Sequence, residues 1–321
     1  MRIVVALGGN ALLRRGEKPD ADIQLTHIRA AAQSLAPLAL EHELLICHGN
    51  GPQVGLLALE SENDTTLTRS YPLDALVAQT QGMIGYWLVQ SLANAGVRKA
   101  ILSVVTQTVV DPADPAFADP SKFVGPTYTQ HRAQQLAAEH GWHIAADGAA
   151  WRRVVASPAP QRIVEQAAIT ALLDRDAVVV CGGGGGAPVT ADGAGALAGV
   201  EAVVDKDLTA GLLAAAVGAD RLLVLTDVPA VMADFGTPAA RALSRLDLDE
   251  LALLSFPAGS MGPKITACEQ FVRATGHPAA IGALSDAAAI LAGTAGTTIT
   301  AGTTITAAPA KRPARGPVVP A

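Results

Sequence analysis

Short apolar runs that end on glycine constrain the fold of this chain most strongly. "IVVAL" (3–7) leads into "GGNAL", and "ELLIC" (43–47) leads into "HGNGPQVG". Apolar runs of this length, bounded by turn residues, predict buried strands. Glycine loses more backbone entropy on folding than any other residue, so its repeated use after strands needs a reason. Each glycine stretch is either a tight turn or a place where the backbone approaches a ligand.

Helix-like segments alternate with these strands, which indicates an α/β protein with a mainly parallel open sheet covered on both faces. In the first half we expect strands at 2–7, 43–47 and within 99–110, and helices at 22–41 and 74–95. In the second half we expect a strand ending in the glycines after Cys181, further strands at 200–204, 221–228 and 296–300, and helices at 206–217 and 263–276.

The alternation breaks at 111–130, where four prolines predict a long irregular connection. A predicted helix at 129–140 and a hairpin near 147–155 complete a small protruding subdomain at about 112–165. At the other end of the chain the hexad "AGTTIT" occurs twice and a Pro/Ala-rich stretch follows. This composition predicts that 1–303 form the folded domain and that 304–321 form a flexible low-complexity tail.

Composition narrows the class of partner. The net charge is −6 and aromatic residues make up 3% of the chain, so we expect no nucleic acid as the main partner. Three cysteines without a C-x-x-C pair predict reduced thiols in a cytoplasmic protein. The first apolar run is about six residues long, too short for a signal-peptide core or a membrane span, so no membrane partner is expected.

Glycine-rich stretches are the first candidates for binding. "CGGGGGAPV" (181–189) predicts a phosphate loop, because exposed N–H groups can surround an anion. It lacks the Gly-Lys-Ser/Thr of a Walker A loop, and "LGGNALL" lacks the spacing of a dinucleotide-binding G-x-G-x-x-G. A crowded turn explains any one of these loops. Three of them at the carboxyl ends of parallel strands would gather where ligands bind.

Lysines are the second candidates. The chain has only six lysines against 17 arginines, and Lys122, Lys206 and Lys264 lie in unusual settings. A compact ammonium group suits a phosphoryl group in transfer. Asp205 and Asp207, which flank Lys206, have the chemistry to orient it or to reach a magnesium ion.

Structural explanations exist for the same residues. Asp205 is a good N-cap for a helix in which Lys206 is a solvated first-turn residue. Ser260 with Pro263 near the first turn also accounts for the stretch "GSMGPK". His48 ends a strand without a metal-like or triad partner spacing, so we expect it to be a packing histidine.

Eight motifs extend these observations. In chain order they are "VVALGGNALL", "HGNGPQVG", "LDALVAQTQGMIGYWL", "DPAFADPSKFVGPTY", "WRRVVASPAP", "GVEAVVDKDL", "LLVLTDV" and "GSMGPK". Together they closely resemble the carbamate kinase family of the amino acid kinase superfamily, over about residues 2–300. The resemblance implies a three-layer αβα sandwich, a protruding subdomain and a homodimer. It also implies Mg²⁺-dependent, reversible phosphoryl transfer between carbamoyl phosphate plus ADP and carbamate plus ATP, commonly in arginine or related nitrogen catabolism.

The resemblance also implies roles for particular residues. The half at about 1–190 would bind carbamate or carbamoyl phosphate, and the half at about 191–303 would bind ATP or ADP. No residue is assigned as a metal ligand, and Mg²⁺ accompanies the nucleotide. The implied sites are substrate loops at Gly8, Gly9, Asn10, Gly49, Asn50 and Gly51; catalytic Lys122, Lys206, Asp207 and Lys264; and nucleotide-side Thr226, Asp227 and Met261.

One segment departs from the family pattern. The stretch "SKFVGPTY" (121–128) stands where the family usually reads Thr-Lys-Pro-x-Gly-Pro-Phe-Tyr, so a proline and an aromatic are lost near Lys122. Two alternatives therefore stay open. One is a kinase for another small carboxylate, and the other is a non-catalytic protein that binds nucleotide or carbamoyl phosphate. Retention of Lys122, Lys206, Asp207 and Lys264 argues against the second.

Overall fold

The computed structural model describes residues 1–9, 12–14, 16–256 and 261–302. Three of the sequence predictions fall outside these ranges. They are the substrate role of Asn10, the N-cap role of Ser260 and the flexibility of the tail at 304–321.

The strands, in chain order, are β1 (Arg2–Leu7), β2 (Glu43–His48), β3 (Ile101–Ser103), β4 (Gln107–Val110), β5 (Lys122–Tyr128), β6 (His143–Asp147), β7 (Ala150–Val155), β8 (Pro160–Ile163), β9 (Val178–Val180), β10 (Ala187–Ala191), β11 (Leu197–Gly199), β12 (Arg221–Thr226), β13 (Val231–Ala233), β14 (Arg241–Leu243), β15 (Arg245–Asp247), β16 (Ala279–Ala283) and β17 (Thr297–Thr300). The α-helices are α1 (Ala21–Glu41), α2 (Gly51–Asn63), α3 (Leu73–Asn94), α4 (Gln130–His140), α5 (Gln166–Leu173), α6 (Lys206–Ala216), α7 (Leu248–Ala252), α8 (Met261–Thr275) and α9 (Ala287–Leu291).

Eight strands build the central sheet in the order β15-β17-β16-β12-β1-β2-β9-β3. Every neighbouring pair in it is parallel except β16 with β17. The inner strands are mostly apolar because both faces of the sheet are covered, as is usual for parallel sheets. In β1, for example, all six residues are buried.

Alternate side chains of β1 supply the two cores. Val4 and Ala6 pack with residues of α5, α6 and α8, whereas Ile3, Val5 and Leu7 pack with residues of α1, α3 and α9. The period of two along a strand produces this division, and burying each such valine or leucine contributes about 2 kcal/mol. The predicted three-layer αβα sandwich is therefore confirmed.

A separate antiparallel sheet, β5-β7-β6, lies with α4 at 122–155, inside the predicted protruding segment. It packs on α2 through two glycines. A Cβ added at Gly55 would lie 2.1 Å from the Cα of Gly125, so no larger residue fits at Gly55 without displacing β5. This contact fixes the distance at which β5, with Lys122 at its start, lies from α2.

Local structure differs from the sequence predictions in several places. The expected strand at 200–204 is wrong, since only Ala202 makes an isolated bridge, to Ala156. Helices α2, α5, α7 and α9 were not predicted. The segment expected to be irregular contains β5, which tolerates Pro126 because it is an edge strand with a register shift between Val124 and Tyr128.

No helix in the described part of the chain combines the length and the apolar composition that crossing a membrane requires.

Candidate functional site

A cleft of about 900 Å³ opens where β1 and β12 end and where α6 and α8 begin. Parallel strands direct their following loops to this edge of the sheet, which is where α/β proteins bind ligands. Of the residues singled out in the sequence, those that line the cleft are Gly8, Gly9, Lys122, Asp205, Lys206, Asp207, Thr226, Asp227, Met261, Pro263 and Lys264. Elements far apart in the chain thus bring most of the predicted site residues to one cavity.

Asp207 holds two of the lysines. Its Oδ2 accepts from Lys206 Nζ at 3.0 Å and from Lys264 Nζ at 2.8 Å. The carboxylate is 2% exposed, and its Oδ1 is buried without a hydrogen-bond partner among the described residues. Asp207 lies in the first turn of α6 and Lys264 in that of α8, and these two helices pack together.

The surroundings set the charge on these lysines. Burial alone would lower the pKa of Lys206, but Asp207 and Asp205 outweigh it and leave the pKa above its ordinary value. Burial, and then repulsion by Lys206, lowers the pKa of Lys264. Lys206 therefore keeps its proton most firmly, and both side chains are mostly buried beside the cavity.

Asp205 has two tasks at the start of α6. Its Oδ1 accepts from the backbone N–H groups of Asp207 at 2.9 Å and Leu208 at 3.4 Å, so it is the N-cap of α6. Its Oδ2 forms an ion pair with Lys122. Burial favours the protonated carboxyl, but Lys122 and Lys206 outweigh it and hold the pKa of Asp205 below its ordinary value.

Both sequence interpretations of "VVDKDL" thus hold in part. Asp205 caps the helix, yet Lys206 is not solvated, because its side chain is 15% exposed and held by Asp207. The contact between Asp205 and Lys122 was missed, since these residues are 83 positions apart and only the flanking acids in the motif drew attention to Asp205.

The first two glycine loops meet beside Lys206. A Cβ added at Gly49 would lie 3.2 Å from Gly9 Cα and 3.3 Å from Lys206 Cδ, so these three residues are in close contact. A Cβ at Gly9 would meet no described atom within 4 Å. Gly9 is therefore open towards the cleft, with room for a ligand against its backbone.

The next two residues of the second loop, Asn50 and Gly51, do not face the cleft. Asn50 is 3% exposed, and its Nδ2 donates to Thr80 Oγ1 at 2.9 Å. Neither Asn50 nor Gly51 lines the cleft. Asn50 precedes α2, and Gly51 is the first residue of that helix. Their assigned contacts with substrate stay a prediction.

The glycine run at 182–186 is a packing element and does not line the cleft. The carbonyl of Gly185 accepts from Thr108 Oγ1 at 2.6 Å and from Thr209 Oγ1, on α6, at 2.9 Å. The expectation of a phosphate loop here differs from the structure, because neighbouring side chains fill the space around these glycines. The loop supports the start of α6 from behind.

His48 is one of those side chains, and it has the packing role expected of it. It is 1% exposed, and its Nδ1 donates to the carbonyl of Gly49 at 2.9 Å. Its Nε2 lies 2.4 Å from where a Cβ of Gly183 would be. Burial lowers the pKa of His48 to about 4.

The other side of the cleft is more apolar. Thr226 Oγ1 donates to Asp227 Oδ1 at 3.0 Å, and Met261 begins α8. Phe235 and Leu253 line the same side and are 76% and 86% exposed. The sequence reasoning did not single out this pair, because an isolated apolar residue in a loop carries no signal until the fold places it at a cavity.

Comparisons with known proteins agree with this geometry. The model of the amino acid kinase family matches residues 1–283. The chain is 51% identical over 297 residues to the carbamate kinase of Escherichia coli (strain K12), covering 92% of this chain and 98% of that protein. It is 49% identical over 302 residues to the carbamate kinase of Rhizobium meliloti (strain 1021), covering 93% of each. The structure of carbamate kinase from Giardia lamblia bound to AMP-PNP superposes with a TM-score of 0.85 at 38% identity, covering 93% of this chain and 98% of that one.

Proposed function

This chain belongs to the amino acid kinase family, and we propose that it catalyses the carbamate kinase reaction, transferring a phosphoryl group reversibly between carbamoyl phosphate plus ADP and carbamate plus ATP. The observation that carries the proposal is the cleft in which Asp207 holds Lys206 and Lys264 beside Gly8 and Gly9. Ammonium groups and open backbone N–H groups are the donors that a small anion and a phosphoryl group need.

Catalysis would rest on positioning and charge. In the direction of ATP use, the anionic oxygen of carbamate attacks the γ-phosphorus, and the bond from that phosphorus to the bridging oxygen breaks, releasing ADP. No general base is needed, since the attacking oxygen carries no proton. Lys206 and Lys264 stabilise the charge on the phosphoryl oxygens, and Asp207 keeps the two ammonium groups in place.

The two substrates would occupy opposite sides of the cleft. We place carbamate or carbamoyl phosphate at Gly8, Gly9 and Gly49, within the half at about 1–190. We place ATP or ADP towards Thr226, Asp227 and Met261, within the half at about 191–303. The complex of the Giardia lamblia relative with AMP-PNP supports nucleotide binding by this family member.

Mg²⁺ is proposed to enter with the nucleotide. Among the described residues no group of three or more His, Cys, Asp or Glu side chains forms a metal site. Mg²⁺ usually keeps several waters and takes its ligands from substrate phosphates and one or two carboxylates. The buried Oδ1 of Asp207 is a carboxylate oxygen suited to the ion or to its water. When bound, the ion neutralises part of the phosphate charge.

Three further proposals rest mainly on the family resemblance: a homodimer, a cytoplasmic location and a role in arginine or related nitrogen catabolism. One feature of this chain supports the first. Strand β3 is an edge of the central sheet, and Leu102, Val105 and Tyr86 near it are exposed apolar residues. Sedimentation equilibrium of the purified protein tests the homodimer.

The decisive experiment measures ATP formation from carbamoyl phosphate, ADP and Mg²⁺ in a coupled hexokinase assay. We expect turnover by the wild type and a loss of about a hundredfold or more, near 3 kcal/mol, in Lys206→Ala and in Lys264→Ala. Lys99→Ala is the matched control, because Lys99 is also largely buried (17% exposed) but pairs with Asp176, away from the cleft.

Each outcome decides something. Near-normal turnover in a folded Lys206→Ala or Lys264→Ala variant would refute the role of that lysine. No turnover by folded wild type would reject the carbamate reaction. A panel of acetate, aspartate, glutamate and acetylglutamate with ATP would then test for a kinase of another carboxylate, and ADP binding without turnover would indicate a binding protein.

A further inference from the structure

We infer that Asp205 is a positioning residue for Lys122, and that its carboxylate connects the start of α6 to the separate β5-β7-β6 sheet and sets the Lys122 ammonium group at the cleft. The inference rests on the proposed function, since the role of Lys122 in the reaction is part of it. It adds to that function a pairing with Lys122 for a residue that the sequence left open between a helix cap and a partner of Lys206 or Mg²⁺.

The two carboxylate oxygens of Asp205 have different partners. Oδ1 accepts from the N–H groups of Asp207 and Leu208, which fixes the plane of the carboxylate against the helix. Oδ2 is left for Lys122. A carboxylate anchored by one oxygen to a helix start is a rigid partner for a cation that arrives on another element.

The anchor itself is well supported. Asp205 is 7% exposed, and Thr209, one turn further along α6, donates to the carbonyl of Gly185 in the buried glycine run. The carbonyl of Asp205 also accepts from the N–H of Thr209. The position of the Asp205 carboxylate is therefore set by the central sheet and its helix layer.

Lys122 needs such a partner. It begins β5, at the edge of the separate sheet, and its side chain is 34% exposed. A free lysine side chain loses about 2 kcal/mol of rotamer entropy when it is fixed. Among the described residues, Asp205 is the only carboxylate that forms an ion pair with Lys122. The pair therefore orders Lys122 before a substrate arrives.

The ion pair between Asp205 and Lys122 does not neutralise all the positive charge of the lysine cluster. Three ammonium groups, on Lys122, Lys206 and Lys264, face two carboxylates, on Asp205 and Asp207. If all five groups are ionised, this cluster carries one net positive charge, while Asp227 and Asp234 line the cleft as well. The carboxylates then serve as holders of the lysines, which keep their attraction for the anion.

The test is a double-mutant cycle with Asp205→Asn and Lys122→Met, measured both as kcat/KM of the carbamate kinase reaction and as the midpoint of thermal unfolding. Asparagine caps helices about as well as aspartate, so Asp205→Asn removes the charge and spares the cap. Asp114→Asn is the control, because Asp114 also caps a helical turn, by accepting from Ala116 N, and forms no ion pair with a lysine among the described residues.

We expect Asp205→Asn to lower kcat/KM about tenfold in the wild type but by no more than about twofold when Lys122 is already methionine. The two thermal midpoints should be non-additive in the same sense, and Asp114→Asn should leave kcat/KM unchanged. Additive effects on both measurements, or a rise in kcat/KM on Asp205→Asn, would overturn the inference. A wild type without carbamate kinase activity would reject the proposed function instead, and the thermal cycle would still decide whether Asp205 holds Lys122.

Discussion

Two kinds of glycine stretch follow the central strands, and they have opposite surroundings. Gly9 has open space where its side chain would be, and it faces the cleft. Gly184, after β9, has the amide of Asn50 at 2.1 Å from the same position. Glycine at the first place leaves room for a ligand, whereas glycine at the second leaves room for the protein itself.

The difference shows that a glycine-rich loop is not by itself evidence of an anion site. The longest glycine run in this chain, at 182–186, has no place in the lining of the cleft. It lets Asn50, His48 and two threonines approach the backbone, and this packing supports α6. The shorter glycine pair at 8–9 lines the cleft beside the lysines.

The largest expected effect is on stability at the packed loop. Gly184→Ala would place a Cβ 2.1 Å from Asn50 Nδ2 in a residue with φ of +62°. Left-handed strain and overpacking together should lower the free energy of unfolding by about 4 kcal/mol, measured by urea denaturation. Gly218→Ala is the matched control, with φ of +65° and no neighbour within 4 Å. It should lose only about 1 kcal/mol. Equal losses would show that the packing around Gly184 is looser than described.

The second effect is on the pH dependence of stability, through His48. Its pKa is about 4 in the folded protein against an ordinary 6.5. Between these values the unfolded chain binds a proton and the folded protein does not, so stability falls as the pH drops from 6.5 to 4 and then levels off. This contributes about 3 kcal/mol.

Urea denaturation at several pH values tests this contribution. His48→Asn should lose that part of the pH slope, whereas a substitution of the exposed His131 on α4, His131→Asn, should keep the wild-type profile. A His48→Asn variant with the unchanged profile would mean that His48 is not buried in its neutral form.

The smallest effect is expected at the open loop. Gly9→Ala should leave the thermal midpoint within about a degree, because its Cβ meets no described atom, but should lower kcat/KM about tenfold, or about 1.4 kcal/mol, by keeping the substrate from the backbone. A loss of stability without a change in kcat/KM would reverse the comparison and make Gly9 the packing glycine.

Much of the fold was predictable because its signals are local. The apolar runs of β1, β2 and β12 and the periodic pattern of α1 and α3 identify the layers. Helix α2 also had a local signal, because an asparagine followed by Gly-Pro is typical of a helix start. The same residues are also typical of a ligand-binding loop, so the stretch was not predicted as a helix. The run at 200–204 looked like a strand because it is rich in valine. Val203 and Val204 are buried, but burial alone does not supply a hydrogen-bonding partner.

The sequence by itself determined the alternation of strands and helices, the places where strands end in glycine, and the scarcity of lysine that drew attention to Lys122, Lys206 and Lys264. Only the tertiary structure decided which glycine loop is open and which is filled, and that Asp205 meets Lys122. The physical reason is the separation along the chain of the residues that determine each feature. Strand and helix patterns depend on residues a few positions apart, whereas the space beside a glycine and the partner of a charge depend on segments that fold back from far along the chain.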